Sequence, residues 1–172
     1  MSILIEKARR LKELSPVLGM AKSYAKNEGL KQVMEALHNK KDYILKQNAI
    51  DIEEAKKNGM KDSLIDRLSL NPDRIQGMID ALKEVIAFPD PIWSSDRTCT
   101  TEDDLTISRM NVPLGTSAII YESRPNVTVD AFALALKSGN CILLRGSSTA
   151  VHSNMALVKV IKEGLAASEI DP

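Results

Sequence analysis

Aromatic side chains are scarce in this chain: two Phe, one Trp and three Tyr make up 3% of 172 residues. Platforms that stack the bases of single-stranded nucleic acid need more of them. An excess of either charge is also missing. Lys and Arg number 23, Asp and Glu number 23, and the formal net charge is zero. No broad field therefore draws in nucleic acid or anionic lipid, although a local basic patch remains allowed. Cysteine is limited to Cys99 and Cys141. Two thiols so far apart build no disulfide framework, and they lack metal-site spacing such as C-x-x-C. No stretch approaches the ~18 consecutive apolar residues of a membrane span. The opening residues, MSILIEKARRLKELSP, break their apolar positions with charges, unlike a signal or transit peptide. These absences predict a reduced, cytoplasmic protein with no nucleic-acid and no membrane partner. The motifs G-x-G-x-x-G, G-x-x-x-x-G-K-[ST] and H-E-x-x-H are absent as well.

What is present is enough for a core. The chain is 44% hydrophobic and 27% charged, and folding at this size hides roughly 70% of the extended-chain surface. Its texture changes near residue 90. Before that point charges are dense and apolar spacing is helical. Ile3, Lys7, Leu11, Leu14 and Leu18 mark a first helix. Leu30, Val33, Met34 and Leu37 mark a second. Tyr43 to Lys57 continues the habit until Asn58-Gly59 stops it. Leu64, Ile65 and Leu68 suggest a short helix. Asn71-Pro72 opens another, whose buried face is Ile75, Met78, Ile79, Leu82, Val85 and Ile86. Phe88-Pro89-Asp90-Pro91 ends it, because a residue before proline avoids the α region. Trp93 to Asp104 is polar without a regular period. Leu105, Ile107 and Arg109-Met110 alternate weakly, as in an exposed strand or hairpin arm.

From Pro113 to Val160 the only charged residues are Glu122, Arg124, Asp130, Lys137, Arg145 and Lys159. Ser117 to Tyr121 reads as a buried strand, Val127 to Lys137 as a helix and Cys141 to Leu144 as a second buried strand. Gly146 to Thr149 caps a last helix, from Ala150 to about Ala166. Continuous apolar strands alternating with helices predict an α/β fold with a parallel sheet. Two strands alone leave apolar edges unpaired, so a third strand is expected next, and the chain reads as the front part of something longer. The expected organisation is a helical part over 1–91, a linker or hairpin arm over 92–111 and a first βαβα part over 112–172.

Ligands of open α/β sheets bind at the carboxyl ends of strands, against helix N-termini. Two turns hold that position, Tyr121 to Asn126 and Arg145 to Ser148. Gly146 would let backbone approach a ligand, Ser147 and Ser148 offer donors, and Arg145 offers a planar fork for phosphate. The plainer alternative is a helix cap whose arginine pairs with a neighbouring carboxylate. His38 reads as a surface residue. His152, near the start of the last helix, would bond a turn or face solvent. Cys141 reads as an inert core thiol.

The run Val112-Pro113-Leu114-Gly115, then Ile119 through Ala131 with Glu122-Ser123-Arg124-Pro125-Asn126-Val127-Thr128-Val129-Asp130, resembles the gamma-glutamyl phosphate reductases. The likeness continues through Ala135 to Asn140, Leu143 to Ser148 and His152-Ser153-Asn154. It includes Asp66-Arg67-Leu68 and Phe88-Pro89-Asp90-Pro91 in the helical front. The resemblance implies an aldehyde-dehydrogenase-like fold, with a helical N-terminal region before the first strands and helices of a Rossmann-type parallel sheet. It implies NADPH-dependent reduction of L-glutamyl 5-phosphate to glutamate 5-semialdehyde, a step of proline biosynthesis. In that family a cysteine thiolate displaces phosphate and hydride then releases the aldehyde. Neither Cys99 nor Cys141 matches that cysteine, so the chain is expected to be inactive alone. The resemblance points to Arg145, Gly146, Ser147 and Ser148 for the adenosine ribose and its 2′-phosphate. It points to Ser123 and Pro125 on the nicotinamide side, and to Asn126 as an oxyanion donor. Arg124 would hold substrate phosphate or carboxylate. It also implies a homo-oligomer and association with glutamate 5-kinase. Two departures stand out. Arg97-Thr98-Cys99-Thr100 replaces an Arg-Pro-Asn-Gly-like turn, and Thr116-Ser117-Ala118 replaces a more apolar run. A non-catalytic binding or self-associating module is the competing reading.

Overall fold

The computed structural model describes residues 3–172. Five helices come first: α1 (Ile3–Gly19), α2 (Ser23–Asn39), α3 (Lys41–Lys57), α4 (Asp62–Leu68) and α5 (Pro72–Ala87). A hairpin follows, of β1 (Ser95–Thr100) and β2 (Thr106–Met110). Then come β3 (Thr116–Ile120), α6 (Asn126–Lys137), β4 (Cys141–Arg145), a 3-10 turn (Ser148–Ala150) and α7 (Val151–Leu165). The architecture is a mixed helix and sheet fold, with a helical N-terminal region ahead of a parallel strand pair. Among the described residues no helix is long and apolar enough to cross a membrane.

Local chemistry sets the helix ends. The Asn71 side chain accepts the Arg74 N–H at 2.7 Å, and Pro72 occupies the first turn, where its missing N–H costs nothing. Gly59 has φ +69° just after α3, a conformation that favours glycine. The predicted apolar faces form the core, Leu30, Val33 and Leu37 of α2 and Ile75, Met78, Ile79, Leu82 and Val85 of α5, and Leu157, Val160 and Ile161 of α7 join them. Val129, Phe132 and Leu136 of α6 complete it. Gly164 on α7 faces α2, where an added Cβ would lie 2.7 Å from the Val33 Cα.

Two lysines are buried where the helical front meets the strand region. Lys26 is fully buried and donates to both Asp90 oxygens, at 2.9 and 2.6 Å, and to the Lys137 carbonyl at 3.0 Å. Lys137, the last residue of α6, donates to Asn27 Oδ1 at 2.8 Å and to the Ile86 carbonyl at 3.1 Å. Burial holds the Lys137 ammonium below the ordinary lysine range, against the pull of Asp90. The Phe88–Pro91 stretch, read from sequence only as a helix stop, thus also delivers a counter-charge.

The strands differ from expectation in three ways. β3 and β4 do pair in parallel, from Thr116 against Cys141 to Ile120 against Arg145. But β3 is not buried: it alternates between half-buried and exposed, and Ile120 is 75% exposed. In β4 only Cys141 is buried. Helices α1 and α6 pack against β4, so one face of a two-strand ribbon is only partly covered. Second, Ser95–Thr100, which shows no apolar period, is a strand. Every residue of β1 and β2 is exposed. A strand with neither face in a core has no reason to alternate. Cross-strand polar pairs hold it instead, Asp96 with Arg109 and Thr98 with Ser108 at 3.1 Å. Third, α1 buries less than its stripe predicts. Leu11, Leu14 and Leu18 are half-buried, whereas Ile3 is 72% exposed.

Candidate functional site

The turns after β3 and β4 lie side by side because their strands pair in parallel, and the Tyr121 N–H extends the ladder by donating to the Arg145 carbonyl at 3.1 Å. Hydroxyls lace the turns together. Ser123 Oγ lies 2.6 Å from Thr149 Oγ1, and Ser147 Oγ lies 2.8 Å from the same atom. Ser147 also caps the 3-10 turn, accepting the Thr149 N–H.

Beneath the turns runs a polar relay. Tyr121 Oη and Thr128 Oγ1 are 2.7 Å apart, and Thr128 Oγ1 donates to Asn154 Oδ1 at 3.2 Å. Since the Thr128 proton goes to Asn154, Tyr121 must donate to Thr128. Burial raises the Tyr121 phenol above its ordinary pKa, partly offset by Thr128. Gly146 is required here. A Cβ would sit 2.2 Å from Asn154 Nδ2 and 3.1 Å from the Tyr121 ring. That direction is filled by the chain's own side chains, a reason for glycine that sequence reasoning missed.

Both predicted arginines are available. The side chains of Arg124 and Arg145 are exposed, and neither has an ion pair or hydrogen bond among the described residues. The alternative of an arginine pairing with a neighbouring carboxylate does not hold for Arg145. Pro125 is buried at the N-terminus of α6, and Ser148 is exposed at the start of the 3-10 turn. Asn126, the first residue of α6, donates from Nδ2 to Asp130 Oδ2 at 3.2 Å, one turn along. Partial burial raises the Asp130 carboxyl above its ordinary range, and the Asn126 bond opposes that shift.

Two clefts flank these turns. The larger, about 500 Å³, lies between the α4–α5 region and the turn after β3, and Arg67, Arg74, Arg124, Asn126 and Asp130 are among its walls. The smaller, about 250 Å³, is lined by Leu64, Arg67, Glu122, Ser123 and Ser147. Arg67 therefore borders both, and among the described residues its one ion-pair partner is Glu122, at 3.7 Å. Arg145 lines neither cleft.

His152 lines neither cleft. Its Nδ1 lies 2.8 Å from Asp51 Oδ1, and its N–H donates to the same oxygen at 3.1 Å. Ser153 donates to Asp51 Oδ2 through its N–H at 2.7 Å and its Oγ at 2.5 Å. Asp51, buried on α3, is thus a charged cap for α7. The serine bonds the carboxylate directly, so these three residues form a cap and not a nucleophile relay. Among the described residues no group of three or more His, Cys, Asp or Glu is placed to hold a metal ion.

Comparison with known proteins adds what the chain is similar to. A gamma-glutamyl phosphate reductase of Alkaliphilus oremlandii is 56% identical over 170 residues, which is 99% of this chain and 41% of the relative. One from Kosmotoga olearia is 51% identical over the same share. The crystal structure of the Thermotoga maritima gamma-glutamyl phosphate reductase superposes with a TM-score of 0.96 at 47% identity, across 99% of this chain and 41% of that one. The chain is homologous to the N-terminal part of the gamma-glutamyl phosphate reductases. It spans about two-fifths of the length of the reductases it matches. The reductase of Saccharomyces cerevisiae keeps the fold at 28% identity, with a TM-score of 0.92. A putative aldehyde dehydrogenase from Bacillus subtilis, 16% identical with a TM-score of 0.66, shares the fold alone. No family model matches the chain.

Several residues of the site escaped the sequence reading. Thr149 joins the turns, Thr128 and Asn154 form their floor, and Asp130 holds Asn126. The four-residue spacing of Asn126 and Asp130 was the available signal, since it puts both on one helix face. Arg67 belongs to the Asp66-Arg67-Leu68 stretch that carries part of the resemblance, and nothing in its spacing marks it as part of a site.

Proposed function

We propose that this chain forms the cofactor-facing and substrate-facing front of an NADPH-dependent reductase that converts L-glutamyl 5-phosphate to glutamate 5-semialdehyde in proline biosynthesis. The observation that carries this reading is the laced pair of turns at the strand ends, with unpaired Arg124 and Arg145, in a chain so similar to named reductases. Arg145 and Ser148 present an exposed guanidinium and hydroxyl to a ribose 2′-phosphate. Gly146 and Ser147 form the ribose side of that turn, and Ser123 and Pro125 belong to the nicotinamide side. NADPH supplies hydride when bound.

Asn126 donates one amide N–H to Asp130 and keeps the second for the oxygen of the acyl group, where negative charge develops. Neither cysteine suits a thiolate role. Burial pushes the Cys141 thiol up, and Cys99 sits on the exposed hairpin. The nucleophilic thiol is therefore assigned outside these residues. The hairpin is the proposed oligomer contact, the cytoplasm the proposed location, and glutamate 5-kinase a proposed partner.

The test is a titration of the chain with NADPH and NADH. Arg145→Ala should weaken NADPH about tenfold and NADH far less, since a charge-assisted phosphate contact is worth about 1.5–3 kcal/mol. Equal weakening of both cofactors would reject the 2′-phosphate role.

A further inference from the structure

We propose that the larger cleft receives the zwitterionic α-amino-acid head of the substrate, with Arg124 and Arg67 on the carboxylate and Asp130 on the ammonium. The inference rests on reading the substrate as a glutamate derivative, and it adds which end of that molecule these residues hold.

The walls of this cleft carry charged groups that the fold leaves unspent. Arg74 is committed: it donates to the Asp66 carboxylate at 2.9 Å, to the Ser69 carbonyl at 2.6 Å and to the Asp66 carbonyl. Asp66 is spent on the same pairing. Arg124 has no partner among the described residues. Among the described residues Arg67 meets Glu122 alone, loosely and in the open, with side chains 49% and 76% exposed. Such a pair is worth at most about 1 kcal/mol, so a ligand carboxylate can displace it. On the acidic side, Asp130 gives Oδ2 to Asn126, and among the described residues Oδ1 has no partner.

What remains is two guanidinium groups and one carboxylate oxygen in a cleft of about 500 Å³. That set matches a ligand carrying both charges. A carboxylate accepts bidentate arginine bonds and an ammonium donates to a carboxylate. A phosphate dianion would gain the arginines but meet the like charge of Asp130. Asn126 lines the same cleft, so a single small molecule can present its head to the charged groups and its acyl end to the amide.

The chain is titrated with L-glutamate, with glutarate, which lacks the ammonium, and with inorganic phosphate, at neutral pH and fixed ionic strength. L-Glutamate should bind about fivefold or more tightly than glutarate, as expected of one charge-assisted bond. Arg124→Gln should weaken L-glutamate about tenfold and Arg67→Gln about threefold, whereas Asp130→Asn should erase the preference over glutarate. Glu122→Gln should tighten L-glutamate by freeing Arg67. All four side chains lie wholly or partly at the surface, so the variants keep the core intact. The proposal is overturned if L-glutamate does not bind, binds no better than glutarate, binds more weakly than phosphate, or ignores Arg124→Gln. If L-glutamate behaves as expected while Arg145→Ala treats both nicotinamide cofactors alike, the cofactor reading falls and the head-group site stands. If the cofactor preference holds while glutarate equals L-glutamate, the head-group site falls alone.

Discussion

Asp130 is half-buried in the wall of the larger cleft, and its titration should show it. Its folded-state pKa is raised, chiefly by burial, above the ordinary carboxylate value of 3.8. Between those two values the folded chain holds a proton that the unfolded chain has released. Stability contributed by this group is therefore full below pH 3.8 and is lost as pH rises through the folded value. Asp130→Asn carries no such charge. The stability of the natural chain relative to Asp130→Asn should fall from acid towards neutral pH, as read by urea midpoints across that range. A difference that is flat with pH, or that grows upward, would sink this account. At the same scale, sequence reading found the exposed arginines because unpaired charge in an apolar stretch stands out. It did not find Thr128, Asn154 or Asp51, since a buried polar residue looks like any other until its partner is brought beside it from another helix.

Helices declare themselves through periodicity, and each predicted helix is present to within a residue or two at most ends. Their mutual approach is not written in the period. Gly164 and Gly77 both sit inside helices and look alike in sequence. A Cβ at Gly164 would strike the α2 backbone, whereas a Cβ at Gly77 meets nothing within 4 Å. Gly164→Ala should therefore cost about 1–2 kcal/mol, overpacking outweighing the gain in helix propensity. Gly77→Ala should stabilise by up to about 1 kcal/mol. Chemical denaturation of both variants checks the contrast, and shifts of the same sign would refute it. The hairpin marks the opposite limit. Its strands carry no apolar alternation, because both faces point away from any core in this chain, so β1 was invisible to a period search.

On the scale of the molecule, a run of exposed apolar side chains follows the hairpin into β3. Trp93, Leu105, Ile107, Met110, Val112, Leu114 and Ile120 are all exposed along the hairpin and β3. An isolated two-stranded ribbon is marginally stable in water, and a surface of this kind invites association. Light scattering should show the chain as a dimer or larger species, and Ile107→Lys with Leu114→Lys should shift it towards monomer. A monodisperse monomer before substitution would remove the self-association reading. Fold class was legible here because strands and helices alternate. The partial cover of β3 was not, since composition says that a strand is apolar but not whether anything lies on it.

The buried lysines carry one more consequence. The change of texture near residue 90 invites a division of the molecule there. Yet Lys137 finds its partners on Asn27 and Ile86, and Lys26 spans Asp90 and the end of α6. Severing the chain around Pro91 would break one covalent bond and leave this clasp closed, so the two pieces should travel together through a sizing column. A boundary drawn by composition is therefore no place to transplant one half into another protein. Whatever inherits the strands must inherit the helices whose oxygens hold Lys137.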